Sequence, residues 1–147
     1  MLSDYLKGNI NFVEQVSSWE DSITVAAEPL LKKGFITDKY VENMIANVHE
    51  HGPYIVIVPG FAMPHAENKE GEVIKTGVSL LKLENGVLYP ENKEVKIVMV
   101  LAAEDSSGHL ELISDLSSVL IEDDLREQLE NATDEETIMQ LIDSAED

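Results

Sequence analysis

The sequence predicts an α/β domain: a layered sheet with helices on its faces. Three observations lead there. Short β-branched apolar runs alternate with stretches whose apolar residues recur at helical spacing. The run Val95–Ala103 is the most hydrophobic in the chain, as a central strand buried on both faces requires. Finally, 147 residues with 44% hydrophobic composition suffice to bury a core, and 1–147 reads as a single domain.

Taken in order, Ile10, Phe12 and Val16 alternate with mostly polar residues, which predicts a half-buried edge strand over 10–16. Ser18 is a fitting N-cap for a helix over Trp19–Lys33, with Ile23, Ala26, Ala27, Leu30 and Leu31 on one face. Gly34 stops it, and Pro29 inside it predicts a kink or an early end. Thr37 opens a second helix with Tyr40, Val41, Met44, Ile45 and Val48 as its apolar stripe, ended by Gly52-Pro53. Tyr54–Val58 then reads as a buried strand, followed by a long loop over 59–73. Lys75–Leu83 is another strand, Glu84-Asn85-Gly86 a hairpin-like turn, and Pro90–Lys93 a second break. After the 95–103 strand comes a helix carrying Leu112, Ile113, Leu116, Val119 and Leu120 inward. Two shorter helices follow, one over Asp123–Glu130 and one opened by a capping box of Thr133 with Glu136.

Composition narrows the function. A net charge of −19 argues against a nucleic-acid surface, which needs clustered Lys and Arg, and against docking on an anionic membrane. Such a field keeps the chain soluble and speeds encounter with a basic partner. No apolar run reaches the length of about 20 residues that a membrane span needs. Met1-Leu2-Ser3-Asp4 lacks the basic-then-apolar pattern of a signal peptide, so a cytoplasmic protein is expected. With no cysteine, thiolate chemistry and disulfides are excluded. No Gly-rich nucleotide motif and no Gly-x-Ser-x-Gly elbow occurs. Acidic pairs such as Glu104-Asp105 read as solvated surface.

The chemistry concentrates in the four histidines. His65 follows Pro64 in a loop stiffened by Pro59-Gly60, with Phe61 and Met63 placed to anchor the segment in the core. His109 falls in the first turn of the helix after the central strand, where free N–H groups favour anions. Ligands in open α/β sheets bind beyond the carboxyl ends of strands. If the strands before His65 and before His109 run parallel and adjacent, both imidazoles meet at one sheet edge. Helix capping by His109, and a simple loop hydrogen bond for His65, stand beside that reading. His49 and His51 end a helix, where cationic side chains suit the dipole. Their His-x-His spacing alone is too little for a zinc site, and no metal is expected.

Gly60-Phe61-Ala62-Met63-Pro64-His65-Ala66 resembles the Pro-His signature of the mannitol/fructose-type enzyme IIA domains of the phosphoenolpyruvate-dependent sugar phosphotransferase system. The similarity continues through Lys75-Thr76-Gly77-Val78 and the 95–103 strand to His109. His51-Gly52-Pro53-Tyr54 with Ala62-Met63-Pro64-His65 is most similar to the ascorbate-type IIA proteins.

The resemblance implies a mixed sheet of five strands flanked by helices on both sides. It implies a phosphocarrier in which His65 accepts a phosphoryl group from HPr and passes it to a cysteine of a IIB partner. His109 would donate a hydrogen bond to that group, and a membrane IIC component would take part only indirectly. Neither metal nor cofactor is implied. By spacing, the arginine and the acid of mannitol-type members fall on His49 and Pro59, which leaves His51 or backbone N–H groups to supply positive potential. A regulatory phosphohistidine domain of the same fold is the alternative, and a histidine metal site a remote one.

Overall fold

The computed structural model describes residues 2–146, and among them four strands form one mixed sheet. The elements run α1 (Leu2–Leu6), β1 (Ile10–Val13), α2 (Trp19–Lys32), α3 (Asp38–His51), β2 (Gly60–Ala62), β3 (Gly77–Tyr89), β4 (Lys93–Ala102), α4 (Ser106–Val119), α5 (Asp123–Asn131) and α6 (Glu135–Glu146). The strand order is β1-β3-β4-β2, so β1 is an edge strand, as its alternating pattern predicts. β1 runs parallel to β3, β3 antiparallel to β4, and β2 parallel to β4.

Side-chain alternation divides the core into two layers. Val98, Val100 and Ala102 of β4, with Leu81 and Leu83 of β3, face α2 and α3. Ile97, Met99 and Leu101, with Val78 and Leu80, face α1, α4, α5 and α6. The result is the expected three-layer arrangement with helices on both faces. Buried hydroxyls tie α2 to β3: Ser79 donates to the Ala26 carbonyl at 2.6 Å, and Ser22 meets Tyr89 Oη at 2.7 Å.

Two expectations about strands fail, and with them the five-stranded sheet. The β-branched run Tyr54–Val58 is not a strand. Tyr54 N–H turns back to Gly52 O at 2.9 Å and Val56 N–H to Pro53 O at 3.0 Å. Phe61 N–H then closes a turn on Val58 O at 3.1 Å, with Pro59 and Gly60 at its centre. Gly60 has φ +87, the left-handed value a type II turn places after proline. The pairing strand therefore starts only at Gly60. Apolar, β-branched composition signalled burial here, but the turns that follow Pro53 and centre on Pro59-Gly60 take up the backbone groups that pairing would need.

Glu84-Asn85-Gly86 is likewise no turn. β3 runs unbroken for 13 residues, and the segment is absorbed as a register shift against β4 between Lys82 and Val87. Its backbone stays engaged on the other side, where Asn85 N–H bonds to Glu14 O at 2.8 Å. The hairpin instead closes over Pro90–Asn92, with Glu91 and Asn92 both at positive φ. That handedness matches the twist of the flanking strands.

The helices follow their end signals more closely. Ser18 and Thr37 accept from Asp21 N–H and Tyr40 N–H as N-caps, and Asp105 caps α4 through Gly108 N–H. α2 continues through Pro29 to Lys32. At the last helix the capping residue is Asp134, accepting from Thr137 N–H at 2.7 Å, one position beyond Thr133. The five-residue α1 was not expected from the pattern. It docks through Leu2 and Leu6, while Leu2 N–H meets the Glu146 carboxylate at 3.0 Å and Ser3 Oγ bonds to Asp143.

Candidate functional site

β2 and β4 are parallel neighbours, with Phe61 opposite Ile97 and Ala62 opposite Val98. Their carboxyl ends consequently open on the same sheet edge. His65 lies three residues beyond β2, and His109 lies in the first turn of α4, which begins soon after β4. The two rings stand 5.1 Å apart between centroids, tilted by 62°. The juxtaposition that parallel pairing would produce is present, although the strand delivering His65 is 60–62 rather than 54–58.

The His65 loop is pinned on every side. Phe61 and Met63 are buried beneath it. Met63 N–H donates to Ile55 O at 2.8 Å, and Leu101 N–H to Pro64 O at 3.0 Å. The fully buried Tyr40 reaches up from α3: its hydroxyl donates to Leu101 O at 2.5 Å and accepts from Ala66 N–H at 3.1 Å. Burial pushes the Tyr40 phenol far above its usual range, so it stays protonated. Sequence periodicity had placed Tyr40 on an apolar stripe; the part its hydroxyl plays left no trace there.

His65 Nδ1 lies 2.7 Å from Met63 O. A carbonyl oxygen only accepts, so Nδ1 carries the proton and Nε2 keeps its lone pair. Burial holds the His65 pKa below its ordinary value; the Met63 carbonyl opposes that shift and nearby His109 adds to it. The ring is therefore neutral at neutral pH, with one nucleophilic nitrogen.

His65 and His109 line a cleft of about 750 Å³. One wall is a face of α3 carrying Lys39, Asn43, Asn47 and His51; Tyr54 completes it near His65. Tyr54 stands edge-on to His65 at 5.8 Å. The loop after His65 supplies Glu67, Lys69, Glu70 and Glu72. Glu72 accepts from Lys69 and Glu70 N–H at 3.0 and 2.8 Å, contacts that hold its carboxyl below the usual range and shape the loop.

His51 reaches the rim of the cleft but not His65. Tyr54 stands between them, 6.3 Å from the His51 ring, and Glu50 lies 3.8 Å from His51 Nε2. His49 points away, packed on Trp19 at 4.9 Å and paired with Glu20 at 3.3 Å. Pro59 sits in the turn before β2. Arg126 lies at the corner between α4 and α5, where it donates to Leu120 O at 2.6 Å and pairs with Asp123. Among the described residues, no three His, Asp or Glu side chains converge as metal ligands, and no helix is long and apolar enough to cross a membrane. Tyr54 and Asn47 are the cleft residues that pattern reading overlooked, because an exposed tyrosine and an asparagine on a polar helix face carry no signal by themselves.

The three-layer α/β fold thus presents two imidazoles at the carboxyl ends of parallel strands, one of them neutral with an unprotonated ring nitrogen. Residues 5–145 match the family described as phosphoenolpyruvate-dependent sugar phosphotransferase system, EIIA 2, and the chain belongs to that family. The mannitol-specific cryptic phosphotransferase enzyme IIA component of Escherichia coli K12 is 36% identical over 143 residues, covering 96% of this chain and 97% of its own. The solution structure of that Escherichia coli component has a TM-score of 0.88 at 34% identity, covering 97% and 98%. The ascorbate-specific EIIA component of Shigella boydii is 29% identical over 147 residues, covering 97% and 95%. A complex of enzyme IIA and phosphorylated enzyme IIB of the Escherichia coli mannitol system shares the fold, with a TM-score of 0.82 at 24% identity and coverage of 93% and 95%.

Proposed function

We propose that this chain is a phosphocarrier: His65 Nε2 accepts a phosphoryl group from phospho-HPr and passes it to a cysteine of a IIB partner. The observation that carries this reading is the 2.7 Å bond from His65 Nδ1 to Met63 O, which leaves Nε2 as the ring's free nitrogen beside His109. In the first step Nε2 attacks phosphorus, and the pair of the breaking N–P bond returns to the donor's imidazole. His65 keeps its Nδ1 proton, and the Met63 carbonyl faces the positive charge the ring acquires. In the second step a IIB thiolate attacks phosphorus, and the N–P pair returns to Nε2.

Phosphoryl transfer has a loose transition state, so catalysis rests on positioning and charge stabilisation. The pinned loop supplies the first and His109, as a hydrogen-bond donor, the second. Relatives of both mannitol and ascorbate types resemble the chain at full length. Ascorbate uptake is the substrate the His51–Tyr54 stretch favours, with a IIC component reading the sugar itself. The decisive test is intact-mass analysis after mixing with phosphoenolpyruvate, enzyme I and HPr, then with a IIB protein. One phosphate gained, lost in acid, absent from His65→Ala and transferable to IIB is expected. No gain beside active controls would refute the reading.

A further inference from the structure

The cleft around His65 is an unfavourable place for a phosphoryl group on charge alone. Such a group brings roughly two negative charges at neutral pH. Glu50, Glu67, Glu70 and Glu72 line the same cleft, and one of its two lysines, Lys69, pairs with Glu67 at 3.6 Å. Additional hydrogen-bond donors close to His65 are therefore needed to offset the repulsion, and neutral donors serve without drawing further counter-charge.

Tyr54 is such a donor. Its ring meets His65 edge-on, at 87° and 5.8 Å, in the cleft that both residues line. Asn47 lies one helical turn before His51 on the cleft-lining face of α3, a rigid element whose N-cap and C-terminal bonds are in place. With Nδ1 turned to Met63 O, a phosphoryl group on Nε2 would enter the cleft that Tyr54 and His109 also line. Tyr54 is 44% exposed, open enough to meet an incoming group, whereas Tyr40 is sealed beneath the loop. Burial raises the Tyr54 phenol pKa, against the pull of Asn47, so the hydroxyl keeps its proton and donates throughout the neutral range.

We propose that the Tyr54 hydroxyl is a second side-chain donor to the phosphoryl group on His65, complementing His109. Tyr54 is then a catalytic residue. The inference rests on His65 being the phosphoryl acceptor, and its test separates the two claims. Tyr54→Phe keeps the ring and its packing on His65 while deleting the donor. A hydrogen bond to a charged group is worth about a ten- to hundredfold change in rate. Phosphoryl gain from phospho-HPr, followed by intact mass, is expected to slow by about that factor, and the phosphorus-31 resonance of the phosphoprotein to move.

Tyr54→Leu, which removes ring and donor together, is expected to slow transfer by at least as much and to move the same resonance. It also serves as the readout should Tyr54→Phe fail to fold. A rate and a resonance unchanged from the parent in the folded variants would overturn the Tyr54 proposal and leave His65 untouched. Failure of the unaltered chain to gain phosphate would overturn both.

Discussion

Tyr40→Phe removes one oxygen atom from the floor of the site, and its cost follows from the bonds that oxygen makes. The hydroxyl is the partner of Ala66 N–H at 3.1 Å and of Leu101 O at 2.5 Å, and Tyr40 has no exposed surface. Phenylalanine fills the same space, so the loss is one of hydrogen bonding rather than of packing. Each buried group left without a partner costs about 1–3 kcal/mol. Two such groups, relaxing in part toward one another, give a destabilisation of about 3 kcal/mol, or about 6–12 °C in Tm for a chain of this size. Ala66 follows His65 directly, so the loop that fixes the imidazole loosens as well. Misplacement of a reacting group by about 1 Å costs on the order of 100-fold, and phosphoryl acceptance should fall toward that limit. Urea unfolding and hydrogen exchange at the Ala66 amide measure the two effects separately. A loss below about 0.5 kcal/mol with unchanged Ala66 exchange would show that the clamp does not hold the loop.

Two further outcomes are expected at the histidines. His109→Ala should fold normally, since its side chain lines an open cleft, but transfer phosphate more slowly by on the order of 100-fold, the usual effect of deleting one preorganised donor. Unchanged transfer would remove His109 from the mechanism. Because burial depresses the His65 pKa, acceptance should decline in acid with a midpoint below the ordinary value of 6.5, and a midpoint at or above 6.5 would contradict the buried, neutral ring. Stability follows the same sign: the contribution is present above 6.5 and is lost as pH falls through the folded-state value, where the ring must charge.

Much of the scaffold could be read before any coordinates, for reasons that differ between elements. Helices announce their ends with local chemistry, and Ser18, Thr37 and Gly34 act within a few residues of where they stand. The central strand β4 is legible because nothing but burial on both faces explains Val-Met-Val-Leu-Ala-Ala. Strand pairing is less local. Glu84-Asn85-Gly86 has turn composition, yet Glu14, just after β1, offers its carbonyl to Asn85 N–H, and that long-range bond keeps the chain extended. At Tyr54–Val58 the reverse happens: strand composition is overridden by prolines on both sides. α1 is too short to show a helical period. At the site, His65 and His109 were visible because proline and a helix start frame them. Tyr40 and Tyr54 were not, since a hydroxyl's partner can be known only once the chain has folded around it.

The meeting of α1 with α6 has an architectural consequence. Leu2 and Glu146 are 144 positions apart in sequence and share a hydrogen bond, so the described chain is nearly a ring with one link open. A module tethered by a few residues to either end would emerge at the same corner of the molecule. No residue of α1 or α6 lines the His65 cleft. Fusion at the beginning or the end is thus equivalent in geometry, and in both cases the tether leaves from elements that do not wall the cleft.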